Sequence, residues 1–296
     1  MATLIDATNV KHKIETYVSY YIEEQVKPED RELSLLIIKA GDDMASDRYV
    51  NMKQKACERV GIKCDVIHFD ENITQERLEG YISYIQDNYT SVMIQAPVYK
   101  HLDFDNLCAT IKPEKDVDGL NPINQGLLYD GNHIGIRPCT ALGVAFLLEE
   151  HGIDVKGKLV TIIGRGKLVA DPLAKMLEYR GATVVKIHTQ TSYKETECLI
   201  GQADIIVSCV GKDMSDLVNP KKASCADALI GVGFRYEDGK QVQDFNIEDF
   251  DEGILCTPNT KGTGMATISA LLDNIIACDK ATKFISNDET NYTENE

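Results

Sequence analysis

The chain contains no tryptophan and only eight prolines, and Phe, Tyr and Trp together make up 7% of its 296 residues. Basic residues are also in deficit: Lys and Arg number 31 against 47 Asp and Glu, giving a formal net charge of -16 and a pI near 4.8. That balance excludes a surface built to neutralise nucleic-acid phosphates, although a local basic pocket for a small anion stays open. No run of about 18 apolar residues occurs, so no membrane helix is expected. The residues after Met1, ATLIDATNVKHKIETYV, lack the apolar stretch of an export signal. A soluble, cytoplasmic protein is expected. Nine cysteines are scattered (Cys57, Cys64, Cys108, Cys139, Cys198, Cys209, Cys225, Cys256, Cys278) without a CxxC pair. Most lie in apolar segments such as IIVSCVG and GILCTP, where Cys behaves as a small hydrophobe. Six dispersed histidines (His12, His68, His101, His133, His151, His188) form no HxxxH or HExxH. Neither disulfides nor a metal centre is expected.

What is present is alternation. With 43% hydrophobic residues over this length, two modest cores are expected. The periodicity predicts a helix over 7–25, a strand over 34–41, a helix around Tyr49 and Lys53, a strand over 63–69, a helix over 74–88 and a strand over 91–97. A loop-rich stretch from Pro97 to Pro138 follows. From Ala141 the pattern resumes: a helix, then strands over 158–164, 182–188 and 204–211 with helices between them, further strands over 228–234 and 253–258, and a last helix from about Met265 to Cys278. The polar tail ISNDETNYTENE is expected to fray. Helices between parallel strands make an α/β fold in which ligands collect at the carboxyl ends of strands, which puts Gln95 and the Gly41 turn on the functional edge.

Two features carry chemistry. Tyr49 and Lys53 are four residues apart, which stacks a phenol and an amine on one helix face where one ligand can touch both. Taken alone, the pair reads as a solvated face on which the Tyr packs over the Lys stem, and only the motifs that follow change that. After the strand TIIG the chain runs Gly164-Arg165-Gly166-Lys167 into a helix at Val169 to Pro172. A glycine turn there lets backbone amides and the helix N-terminus hold a pyrophosphate, or it is simply a tight turn. The next strand ends in His188-Thr189-Gln190, with no carboxylate to repel a 2′-phosphate, so either Arg165 with Thr189 and His188 favours NADP over NAD, or Arg165 is a surface residue and His188 caps the strand end.

In order along the chain stand Ser46, Tyr49-Val50, Lys53 to Cys57, Gly61-Ile62, Gln95, Pro97, KDVDG (Lys115 to Gly119), Asn121-Pro122, Asn124 to Gly126, and Pro138-Cys139-Thr140. They continue with Gly143, Gly164-Arg165, Pro172, His188, Ala203-Asp204, Val232-Gly233, Thr257-Pro258 and Gly264-Met265. This succession resembles the bifunctional methylenetetrahydrofolate dehydrogenase/cyclohydrolase family over nearly the whole chain. The resemblance implies two domains, an N-terminal α/β catalytic domain and a Rossmann-type dinucleotide-binding domain, with a cleft between them. Residues 1–138, completed by the C-terminal helix over 265–285, are expected to bind folate, and residues 139–264 to bind NADP, with NAD as the alternative.

The implied reaction moves a hydride from 5,10-methylenetetrahydrofolate to the nicotinamide, and the methenyl cation is then hydrolysed to 10-formyltetrahydrofolate. Lys53 is implied as the proton-transfer group and Gln95 as its assistant, with Tyr49 stacking on the folate and Asp118 holding the pterin. Water attacks a cationic substrate in the second step, so a nearby amine has to be able to lose its proton. Pro97 and Gly264 complete the implied substrate contacts. Cofactor contacts are assigned to Thr140, Gly164, Arg165, Gly166, His188, Thr189, Gly211 and Gly233. A homodimer is also implied.

The chain departs from the family pattern in places. Ala141 follows PCT where a Pro is usual, Gly166 stands for the Ser of Gly-Arg-Ser, and Ala170 replaces a Gly. Ile230-Gly231-Val232-Gly233 lacks the acid of Ile-Asp-Val-Gly, and Asn259 to Thr267 replaces a Pro-Gly-Gly-Val-Gly-Pro-Met-Thr loop expected to flank folate and nicotinamide. A dehydrogenase without hydrolysis, a shikimate-dehydrogenase relative and a non-enzymatic nucleotide sensor are the alternatives. Lys53 counts against the first, KDVDG with PCT against the second, and the joint presence of Tyr49, Lys53, Gln95 and Asp118 against the third.

Overall fold

A computed structural model of the protein describes residues 1–132, 134–237 and 240–293; His133 lies outside them. The first half runs β1 (Thr3–Leu4), α1 (Thr8–Tyr21), β2 (Ser34–Lys39), α2 (Met44–Val60), β3 (Lys63–His68), α3 (Gln75–Ile85), β4 (Ser91–Gln95), α4 (Phe104–Thr110), α5 (Pro122–Tyr129) and α6 (Cys139–Glu150). The second half runs β5 (Leu159–Ile163), α7 (Ala170–Tyr179), β6 (Thr183–Ile187), α8 (Tyr193–Gln202), β7 (Ile205–Ser208), β8 (Ala228–Gly231), β9 (Phe234–Glu237), β10 (Lys240–Gln243), β11 (Leu255–Cys256) and α9 (Thr263–Thr293).

Two compact units result. One comprises Lys13–Cys139 with the chain from Ile268, the other Met1–His12 with Thr140–Thr267. The first unit holds a parallel sheet in the order β3-β2-β4. Its central strand carries the apolar run Leu35 to Ile38 and is buried on both faces, as a parallel strand covered by helices must be. Leu36, Ile38 and Ile94 from the sheet pack with Leu78 and Ile82 of α3 and Leu107 of α4. The second unit holds a parallel sheet in the order β1-β11-β8-β7-β5-β6. In α7, Ala170, Leu173, Ala174, Met176 and Leu177 are buried, an i, i+3, i+4, i+7 stripe that sets its inner face.

Several elements differ from the sequence expectation. Residues 1–12 cluster with the second unit instead of opening the first, because β1 pairs in parallel with β11 and Ala7 N–H donates to Lys261 O at 2.7 Å. The stretch 97–138 is not all loop: α4 starts on an Asp103 cap whose Oδ1 accepts from Asp105 N and Asn106 N, and α5 starts on Asn121-Pro122. The strand expected over 228–234 stops at Gly231, and β9 and β10 form a separate antiparallel pair. The last helix runs on to Thr293 through most of the polar tail expected to fray. Among the described residues, no helix is long and apolar enough to cross a membrane.

Candidate active site

Lys53 lies in the third turn of α2 and is 6% exposed. Its Nζ donates to Gln95 Oε1 at 2.9 Å and sits 3.5 Å from Met93 Sδ. Both partners come from β4, the neighbour of β2, so the helix after one strand and the end of the next build the pair. The Gln95 amide is fixed in turn, its Nε2 donating to Ala96 O at 2.8 Å. The start of α2 is tied back to the sheet by the Lys39–Asp47 ion pair. Tyr49, one turn before Lys53, is half-buried, and Ser46 Oγ is buried without a hydrogen-bond partner among the described residues. Pro97 is exposed, and its carbonyl lies where Gly41 passes: a Cβ at Gly41 would come within 2.5 Å of Pro97 O. The ends of β2 and β4 therefore converge as expected of a strand-end site.

The KDVDG segment is held by burial and backbone bonds. Lys115 Nζ donates to Tyr89 O at 2.6 Å, and burial lowers its pKa. Asp116 is 1% exposed and its Oδ2 accepts from Asn121 N at 2.7 Å and Asn124 Nδ2 at 2.9 Å. Burial pushes the Asp116 carboxyl up to about 6, with the nearby Asp118 charge acting in the same direction. Gly119 turns at φ +68, and a Cβ there would lie 2.4 Å from Arg137 C, so the turn closes directly on the backbone before Pro138. Asn274 of α9 seals this junction, Nδ2 donating to Val117 O at 2.9 Å and Arg137 O at 2.8 Å. Burial raises the Cys139 thiol pKa well above normal, the Asp118 charge adds to this and Lys53 opposes it.

In the other unit the assigned residues fall at strand ends. Gly164 follows β5 at φ +128 and packs against Cys209, just after β7. Gly211 turns at φ +65, and a Cβ on Gly233, beyond β8, would meet Gly211 N at 2.3 Å. Three glycines therefore stand at the carboxyl ends of three adjacent strands. His188 and Thr189 follow β6, at the end beside β5. His188 N donates to Thr191 Oγ1 at 3.0 Å and its Nδ1 accepts from Gln190 N at 3.3 Å, a self-bonded turn that leaves Thr189 exposed. Arg165 and Gly166 are exposed as well, and nothing lies within 4 Å of a Cβ built on Gly166. The α7 N-cap, Val169, makes no side-chain cap, and the turn closes on backbone bonds instead, with Asp171 N donating to Gly166 O at 3.1 Å. A glycine turn and an exposed Arg at a strand-to-helix junction fit the diphosphate and 2′-phosphate of a dinucleotide. Thr140 is the second residue of α6 and Gly264 the second of α9, both half-buried.

Asp116, Met93 and Asn274 were not singled out by sequence reasoning. Asp116 shares the KDVDG motif, and the Asn121 and Asn124 that bond it are in the same motif set, but only burial separates its part from that of Asp118.

Residues 5–118 match the family described as tetrahydrofolate dehydrogenase/cyclohydrolase, catalytic domain, and residues 138–283 match its NAD(P)-binding domain. The chain is 36% identical over 279 residues to the bifunctional protein FolD of Aquifex aeolicus, covering 93% of this chain and 94% of that one. It superposes on the crystal structure of the bifunctional FolD enzyme of Campylobacter jejuni with a TM-score of 0.86 at 36% identity, over 95% of this chain and 99% of that one. The Trypanosoma brucei dehydrogenase-cyclohydrolase, solved with NADP cofactor and an inhibitor, gives a TM-score of 0.87 at 29% identity over 95% and 98% of the two chains. Two matched domains in the right order, on a scaffold that puts the motif residues at strand ends, identify the chain as a member of the tetrahydrofolate dehydrogenase/cyclohydrolase family.

Proposed function

We propose that the protein oxidises 5,10-methylenetetrahydrofolate with NADP and then hydrolyses the methenyl product to 10-formyltetrahydrofolate. The observation that carries this reading is the buried Lys53–Gln95 bond of 2.9 Å, in a chain whose relatives are named bifunctional. When bound, the nicotinamide supplies the hydride acceptor for the first step. Lys53 then takes a proton from the water that attacks the methenyl carbon, and Gln95 Oε1, by accepting from Nζ, aims the amine. Asp118 accepts from the pterin N–H donors, and Tyr49 gives an aromatic face to the folate. Gly164, Arg165 and Gly166 take the cofactor phosphates, with Thr189 and His188 beside them. Residues 13–138 with the C-terminal helix serve the folate, and the glycine-ended sheet serves NADP. The chain works in the cytoplasm as a homodimer, a state that sedimentation at several concentrations would reveal as twice the chain mass.

Absorbance of methenyltetrahydrofolate tests the reading. The parent should convert methylenetetrahydrofolate through to the formyl product with NADP, and Lys53→Met should stop at the methenyl stage. Well-folded parent protein that turns over the folate with neither NADP nor NAD would exclude it.

A further inference from the structure

At position 231 the family motif carries an acid and this chain has glycine. The space is filled from elsewhere. A Cβ built on Gly231 would lie 1.8 Å from Gln243 Oε1 and 2.5 Å from its Cδ, so the carboxamide at the end of β10 occupies the place of the missing side chain. Gln243 is 4% exposed and every polar atom of its side chain is bonded. Nε2 donates to Thr257 O at 2.5 Å, and Oε1 accepts from Thr257 Oγ1 at 3.1 Å. Its backbone N–H donates to Asn259 Oδ1 at 3.1 Å. Gly231 grips the same segment: its N–H donates to Thr257 Oγ1 at 2.8 Å, and its carbonyl accepts from Thr263 Oγ1 at 2.8 Å.

The segment 257–263 is therefore tied at both ends to Gly231 and along one side to Gln243. Between the ties it is sharply bent. Lys261 is held at φ 63, a conformation that an L side chain adopts only where its surroundings impose it, and a Cβ on Gly262 would come within 2.8 Å of Pro258 O. This segment begins the loop in which the chain departs most from the family, the loop expected beside folate and nicotinamide. An altered loop and an altered anchor occur together and touch.

We propose that Gln243 is a positioning residue for folate use, replacing the absent acid at 231 and setting the course of the 257–263 segment. The proposal rests on the folate-enzyme reading above. It is tested in the full chain with Gln243→Ala, Gln243→Gly, and Gly231→Asp combined with Gln243→Gly. Turnover by the parent tests the folate reading by itself, and differences among the variants test Gln243. Gln243→Ala should raise KM for methylenetetrahydrofolate about tenfold, the effect of about two lost hydrogen bonds, with kcat within about twofold. The double variant, which returns an acid to 231, should bring KM back to within about threefold of the parent while Gln243→Gly alone stays high. Amide exchange at 257–263, measured without ligand, should quicken and recover in parallel. Exchange that quickens while KM stays at the parent value would mean a merely structural role and overturn the proposal, as would a double variant no better than Gln243→Gly. Where Gln243→Ala does not fold, Gln243→Met, which keeps the volume without the bonds, takes its place in the same comparison.

Discussion

Lys53, Gln95 and Asp116 are buried, and Lys53 and Gln95 are bonded to each other, whereas Arg165, Gly166 and Thr189 are exposed, with open space around Gly166. The two units meet different demands. Proton transfer needs one atom held in one place, which takes packed side chains and a fixed partner. A diphosphate needs amides and positive charge over a wide surface, which takes positive φ and the absence of side chains. Substitution should therefore act through different physics in each unit.

The largest effect is expected at Lys53. Lys53→Met should cut hydrolysis by about 10² to 10⁴, the usual worth of a positioned acid–base group, while the methenyl product still forms. Rapid absorbance assays with methylenetetrahydrofolate and with preformed methenyltetrahydrofolate separate the two steps, and equal losses in both would erase the assigned distinction.

Asp116 comes next. Its folded pKa, raised by burial to about 6, lies above the ordinary 3.8, so the folded chain keeps a proton that the unfolded chain releases. The contribution is fully favourable below about pH 4 and is lost as the pH rises through about 6. A difference of one in pKa is worth about 1.4 kcal/mol, so Asp116→Asn should gain about 3 kcal/mol on the parent between about pH 4 and pH 7. Urea midpoints of both proteins across that range give the difference, and a flat line would reject the buried carboxyl as its source.

On the exposed side the effects shrink. Arg165→Ala should weaken NADP about tenfold and leave NAD within about twofold, as loss of one charge-assisted contact would. Equal weakening of both, read by titration of protein fluorescence, would move Arg165 to the diphosphate. Gly166→Ser has open space around its new Cβ and restores a hydroxyl that the family uses. It should tighten NADP by about 0.5–1.5 kcal/mol, and weaker binding would show that the bare glycine is required.

Long periodic elements were legible before the structure. Apolar runs such as SLLIIK and TIIG have one stable use in an α/β chain, as buried parallel strands. Shorter elements were not. α4 has 7 residues and α5 has 8, too few for helical periodicity to register, although the Asp103 cap and the Asn121-Pro122 start were signals in plain sight. The pairing of β1 with β11 joins residues some 250 apart, and nothing local to Thr3 announces it.

By itself the sequence determined the alternation of strands and helices and the glycine-rich turn after β5, because spacing and residue type are properties of the chain, and its resemblance to the family singled out Lys53, Tyr49, Gln95 and Asp118 as candidates. Only the tertiary structure decided that Lys53 and Gln95 are buried and bonded at 2.9 Å, that burial separates Asp116 from Asp118, and that Gln243 fills the place left by Gly231. These depend on which segments pack together, and desolvation and contact between distant residues have no signature in the order of the residues.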